Sequence, residues 1–262
     1  MTVATEAPVV ELEQVRREIR AMYREVARDP AGDFHFEMGR GLAERLGYPA
    51  PWLDAVPAQA LASFAGVGHM IDLAELAPGD HVVDLGSGSG TDAFVAAHLV
   101  GPGGGVTGVD MTEHQLGKAR TQRDLAGIDH VVFVKGYVEE PPVEAGSADA
   151  VISNGVLNLV PDKARAFAAA ARALRPGGRL ALADIVSARE LKARTRANTQ
   201  LWAACIAGAV PLERYLDGIR VAGLTVDEVR VNHQYRFVSQ RALDAADTYG
   251  VVSVSIRATK PK

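Results

Sequence analysis

The sequence predicts a doubly wound α/β protein: a mostly parallel, seven-stranded sheet with helices on both faces, preceded by an N-terminal helical and loop cap. Three observations lead there. From about residue 80, apolar β-branched runs alternate with helical stretches. The runs are continuous in their apolarity, as in strands covered on both faces, and so belong to a parallel sheet. The last two runs are not separated by a clear helix-length pattern, so they are expected to pair antiparallel at one edge. Strand–helix–strand repetition then requires right-handed crossovers.

The elements follow in order. In "ELEQVRREIRAMYREVAR", Leu12, Val15, Ile19, Met22 and Val26 recur at a spacing of three to four, one apolar stripe on a helix. The stripe is short for a coiled-coil seam and reads as a lid or packing helix. Residues 29–68, with "DFHF", "YPAPW" and "ASFAGVGHM", read as a loop-heavy continuation. Residues 1–75 are therefore expected to form a cap and residues 76–262 the sheet domain. Its strands read as "HVVDLG", "GVTGVD", "HVVFVKG", "DAVISN" and "GRLALADIV", then "TVDEVRVNH" and "GVVSVSIRATK". Helices are expected at 112–126 and at 161–174, the latter opening on Pro161 and Asp162 and closing before "RPGG". Residues 189–222 read as a helical insertion.

Composition narrows the class of function. The chain has 262 residues, 48% hydrophobic and 23% charged, with a net charge of −4 and no run of like charges. That balance offers nothing to nucleic acid or to an anionic membrane surface. The start, "MTVATEAPVVELEQV", lacks a basic segment followed by an apolar run, and no stretch approaches ~18 apolar residues. The single cysteine, Cys205, excludes an internal disulfide and a multi-thiolate metal site. The seven histidines show no ligand spacing, so no metal is expected. A cytoplasmic protein is expected, its oligomeric state unread.

Chemistry concentrates at "VVDLGSGSG", residues 82–90. A strand runs into a turn whose glycines, Gly86, Gly88 and Gly90, are spaced G-x-G-x-G. The dinucleotide fingerprint asks for G-x-G-x-x-G. Asp110, closing the second strand, is placed to accept hydrogen bonds from a ribose in either kind of cofactor. Asp84 lies inside the first strand, where its carboxylate could orient the donors of the turn. Glu139 follows the third strand, at the place to meet an adenine amino group, and Ser153 and Asn154 end the fourth. Open α/β sheets bind ligands at that carboxyl edge. Together these residues describe a nucleoside with a short polar tail, which is S-adenosylmethionine.

The stretches "VVDLGSGSGTD", "VTGVDMT", "VKGYVEE", "VISNGVLNLVPDK", "LRPGGRLALADIV" and "LWAACIAGA" resemble class I S-adenosylmethionine-dependent methyltransferases, and more narrowly the arsenite methyltransferase group. The resemblance spans residues 60–230. It implies a Rossmann-like methyltransferase fold, with the "GSGSG" loop (Gly86, Ser87, Gly88, Gly90) at the methionine end of the donor. By the same likeness Asp110 holds the ribose, Met111 flanks the adenine, Val138 and Glu139 meet its polar edge, and Asn154 lies near the methionine portion. The product would be S-adenosylhomocysteine.

Departures from the group bear on the acceptor. The group holds As(III) on three cysteine thiolates; two of the matching positions here are Val67 and Gly155, and only Cys205 remains. Arsenic(III) is soft and thiophilic, so this loss argues for an organic small-molecule acceptor. A cysteine-poor arsenical methyltransferase and a non-catalytic donor-binding protein are the alternatives. Methyl transfer is an in-line displacement that needs alignment within about 3–3.5 Å and no covalent intermediate. An acceptor that carries a proton would want a base, for which His35, His69, Tyr23 and Glu37 are candidates. Cys205, on an apolar helix face near Trp202 and Ile206, is either a thiol of the site or a small buried hydrophobe. The 189–222 insertion is expected to line the acceptor pocket.

Overall fold

A computed structural model describes residues 12–262, apart from positions 33, 35, 197, 199–200 and 203–205. Two of the residues singled out above, His35 and Cys205, lie outside the described residues. Seven strands form one sheet in the order β3-β2-β1-β4-β5-β7-β6. They are β1 (His81–Leu85), β2 (Gly105–Asp110), β3 (Val131–Lys135), β4 (Ala148–Asn154), β5 (Leu174–Val186), β6 (Thr225–Val231) and β7 (Val252–Thr259). The first five pair in parallel, whereas β7 runs antiparallel to both β5 and β6. The sheet order reverses between β1 and β4, so the carboxyl ends of those strands open a crevice where loops diverge to opposite faces.

Apolar residues lie on both faces. Val82, Val106, Ile152, Ala181 and Ala183 join one core with the cap, and Val83, Val109, Val151, Leu180 and Leu182 join the other. The cap begins with α1 (Leu12–Arg28), whose Val15, Ile19 and Val26 are buried as the stripe required. Three short helices follow, α2 (Gly39–Leu46), α3 (Ala50–Asp54) and α4 (Ala58–Ala62), where the sequence reading expected mostly loop. Each turn is too short for a visible apolar period. Prolines start two of them, with Pro49 and Pro57 immediately before α3 and α4. A further turn, α5 (Ile71–Ala74), leads into β1.

The crossover helices are α6 (Thr91–Val100), α7 (Glu113–Ala126) and α8 (Lys163–Ala173). Asp162 caps α8 by accepting the Arg165 N–H at 3.2 Å, and the helix runs directly into β5. After β5 come α9 (Ala193–Arg196) and α10 (Leu212–Val221). One element was missed: α11 (Gln240–Tyr249) stands between β6 and β7. Its signals are present in the sequence, a Ser239 side chain that accepts the Ala242 N–H and a left-handed Gly250 at the end. The antiparallel edge itself is as expected. Among the described residues, no helix is long and apolar enough to cross a membrane.

Candidate active site

At the carboxyl ends of β1, β2 and β4 lies a cavity with about 1000 Å³ of empty space, part of it open to solvent. Gly86, Ser87, Gly88, Asp110, Met111, Val138, Glu139 and Asn154 all line it. Helix α1 covers it with Arg16, Ile19 and Tyr23, and the cap adds Phe64, Ala65 and Gly66.

The glycine turn is shaped by sterics. Gly86 has φ +81°, and a Cβ there would stand 2.3 Å from a Val156 methyl. Gly90, at φ +95°, would press a Cβ to 2.7 Å from the Phe133 ring; it sits behind the cavity and does not line it. Asp110 fixes the middle of the turn. One carboxylate oxygen accepts the Gly88 N–H at 3.0 Å, and the other accepts the Thr112 N–H at 2.7 Å. Burial raises the Asp110 pKa, and these N–H groups pull it back. Thus the turn is oriented by Asp110, whereas Asp84, to which the sequence reading gave that task, is fully buried beneath it and receives the Ala93 N–H at the start of α6.

Glu139 does not stand free at the cavity wall. Arg16 of α1 donates to its carboxylate at 3.1 Å while the guanidinium lies 4.2 Å above the Tyr137 ring. Gln115 of α7 donates to the Tyr23 carbonyl at 2.9 Å, so α1 is tied to the sheet domain on two sides. Asn154 is also committed. Its Oδ1 accepts the Val67 N–H at 2.8 Å, and its Nδ2 donates to the Gly68 carbonyl at 3.0 Å and to Asp92 at 3.1 Å. The side chain therefore fastens the cap to β4.

Of the proposed proton acceptors, Tyr23 lines the cavity and His69 does not. His69 packs on Tyr48 and Trp52, with ring centroids at 4.5 and 5.7 Å, and its Nδ1 is 3.8 Å from Asp72. Burial lowers its pKa, with Arg230 adding in the same direction against the opposing pull of Asp72. Glu37 pairs with Arg45 away from the cavity. Residues 189–222 contribute no described residue to the lining; Ala193, Arg196, Trp202 and Ala207–Val210 instead border a separate groove with Lys163. Sequence reasoning overlooked Asp92, which lines the cavity two residues past Gly90, in the first turn of α6. Burial raises its pKa to about 6, against the lowering effect of Tyr48 and Asn154. The signal was "GTD", an acidic residue in the first turn of a helix that is otherwise apolar.

A donor with a ribose and a charged tail fits this cavity. The Ser87 hydroxyl is buried without a hydrogen-bond partner in the turn. A polar ligand group would satisfy it. The cradle beside it exists because Gly86 and Gly108 lack side chains: a Cβ on Gly108 would sit 2.6 Å from Phe133 and 2.8 Å from the Ser87 hydroxyl. Among the described residues, no cluster of three His, Cys, Asp or Glu residues is arranged to hold a metal.

The comparisons with known proteins agree with this geometry. A methyltransferase-domain family matches residues 76–240. An arsenite methyltransferase of Halobacterium salinarum is 37% identical over 220 residues, 84% of this chain and 56% of that protein. The nocamycin O-methyltransferase of Saccharothrix syringae is 35% identical over 123 residues, 47% of this chain and 44% of that protein. The chain spans about half the length of the curated relatives it matches. The crystal structure of an arsenic(III) S-adenosylmethionine methyltransferase from Chlamydomonas reinhardtii superposes with a TM-score of 0.64 at 32% identity, covering 86% of this chain and 74% of that one. The fold, the cavity and these likenesses together show that the chain belongs to the class I S-adenosylmethionine-dependent methyltransferases, in their arsenite-methyltransferase-like group.

Proposed function

We propose that this chain transfers a methyl group from S-adenosylmethionine to a small organic acceptor. The observation that carries the reading is one cavity in which the glycine turn, the Asp110 carboxylate, Met111, Val138 and Asn154 converge. Bound there, the donor supplies an electrophilic methyl group on a positively charged sulfur. Asp110 would hold the ribose, because it lines the cavity at the end of β2 with its carboxylate fixed by the Gly88 and Thr112 N–H groups. Met111 and Val138 would flank the adenine, with Glu139, kept in place by Arg16, at its polar edge.

The cap serves to exclude water. Ile19, Phe64, Leu159 and Val160 give the cavity apolar walls. An excluded solvent favours a reaction in which the positive charge of the donor is lost. Tyr23 is the sequence candidate that lines the cavity, and its hydroxyl is proposed to orient the acceptor.

Support for an organic acceptor comes from positions 67 and 155. A Cβ built on Gly155 would lie 3.3 Å from a Val67 methyl, so the two positions stand side by side, and neither carries a thiol. The similarity to arsenite methyltransferases keeps a second reading, methylation of trivalent arsenicals, with Cys205 as the remaining thiol. A screen with labelled donor separates the two. Transfer to organic acceptors with none to trivalent arsenicals plus thiol supports the first. Arsenical methylation that is lost in Cys205→Ser establishes the second. The absence of any transfer, with donor still bound, points to a binding protein. Nucleic acid and membrane partners form no part of the proposal, and a cytoplasmic setting is proposed with it.

A further inference from the structure

We propose that Tyr48, which does not line the cavity, is a positioning residue: its hydroxyl holds Asp92 and Asn154 in one arrangement and thereby sets how the cavity wall receives the donor. This rests on the methyl-donor reading above. Tyr48 follows α2 and is 3% exposed. Its ring is locked on two sides, by Phe64 at 5.3 Å in an edge contact and by His69 at 4.5 Å. The hydroxyl donates to one oxygen of Asp92; Asn154 Nδ2, whose two hydrogens are shared among three acceptors, lies 3.1 Å from the Tyr48 hydroxyl, 3.1 Å from the other Asp92 oxygen and 3.0 Å from the Gly68 carbonyl. The three groups thus close a ring of hydrogen bonds across the cap, the first turn of α6 and the end of β4.

Two members of that ring, Asp92 and Asn154, line the cavity, as do Phe64, Ala65 and Gly66. Asn154 binds both Val67 N–H and the Gly68 carbonyl, so the cap segment that roofs the cavity is set by the same ring. Gly66 shows how tightly: a Cβ there would be 2.5 Å from Asn154 Nδ2. Asp92 is the charged member. The ionisable groups facing it are Tyr48 from the cap and Asp84 from β1; Asp110 acts on Asp84, and His69 lies on the far side of the Tyr48 ring. No cation is hydrogen-bonded to Asp92 in this ring, so a cationic donor gains from its negative charge, and the Tyr48 hydroxyl stabilises that charge.

Tyr48→Phe keeps the ring packing and removes the hydroxyl. The measurement is calorimetric binding of S-adenosylmethionine and S-adenosylhomocysteine to the free protein between about pH 5 and about pH 8, with melting curves alongside. In the wild type, donor affinity is expected to rise as pH passes through about 6. Tyr48→Phe should fall about tenfold in affinity at neutral pH. Its midpoint should move up by about one unit, because a bond that favours ionised Asp92 has gone. Asp92→Asn should abolish the midpoint, and Tyr48→Phe should then add little. A merely structural role would lower melting temperature and leave the midpoint in place. A folded Tyr48→Phe with wild-type affinity and midpoint overturns the proposal. Should it fail to fold, Asp92→Asn decides: an unchanged midpoint overturns it, and a lost one upholds the role of the ring. A wild-type protein that binds neither ligand refutes the underlying donor reading instead.

Discussion

Replacing Asp110 with alanine tests the proposed donor site most directly. In the free protein the carboxylate accepts Gly88 N–H at 3.0 Å and Thr112 N–H at 2.7 Å. Both N–H groups border an open cavity, so water replaces the lost acceptor and the cost to folding is about 1–2 kcal/mol, below the sum of two charge-assisted bonds. Binding suffers more. A ribose hydroxyl bonded to a carboxylate is worth ~1.5–3 kcal/mol, which converts to a roughly ten- to hundredfold loss of affinity. The turn is loosened at the same time, because Gly88 in its left-handed conformation (φ +54°) loses its anchor. Asp110→Asn is no neutral control: its amide can accept from one N–H only by turning its own NH₂ toward the other, donor against donor. Calorimetry with S-adenosylhomocysteine, paired with thermal unfolding, separates the two effects. A folded Asp110→Ala protein that binds with wild-type affinity would refute the placement of the ribose.

Three other outcomes follow from the same structure. Gly86→Ala meets Val156 at 2.3 Å in a left-handed backbone conformation, so it should cost about 2 kcal/mol or more; Val156→Ala in the same chain should recover only the steric part, read by urea unfolding. Asp184 is buried with its carboxylate accepting from Tyr215 and from Asn158 N–H, each at 2.7 Å, and burial raises its pKa from 3.8 to about 6. Its contribution to stability is therefore full below pH 3.8 and lost as pH rises through about 6. A shift of that size is worth ~3 kcal/mol, so Asp184→Asn should gain on the wild type by that order between about pH 4 and about pH 7, and a pH-independent difference would contradict the assignment. Arg16→Ala removes the contacts to Glu139 and Tyr137 that hold α1 over the cavity. Unfolding should change by less than about 1 kcal/mol, while limited proteolysis within α1 should accelerate and donor affinity should weaken.

Five parallel strands were legible because continuous β-branched runs between helical stretches have one economical solution, a sheet covered on both faces. The glycine turn and Asp110 were legible for a related reason: backbone conformation and strand ends are local properties, written in adjacent residues. The antiparallel edge was read from the last two apolar runs, although the helix Gln240–Tyr249 between them was passed over despite its serine and glycine caps. The short cap helices escaped because each has one turn or two, too little for a period to show.

What tertiary structure alone decided is which side chains meet. Asn154 lines the cavity, and only the packed chain shows that its amide is at the same time bonded to Val67, Gly68 and Asp92. Asp84 was expected to steer the turn, yet Asp110 does so. His69 was a candidate base and is enclosed by Tyr48 and Trp52. Tyr48 and Asp92, 44 positions apart, are joined by one hydrogen bond that no spacing rule announces. Conformational preference and burial period act over a few residues, so sequence determines the elements and their order. A hydrogen-bonded ring drawn from a cap, a helix start and a strand end depends on how those elements dock, and only packing fixes that.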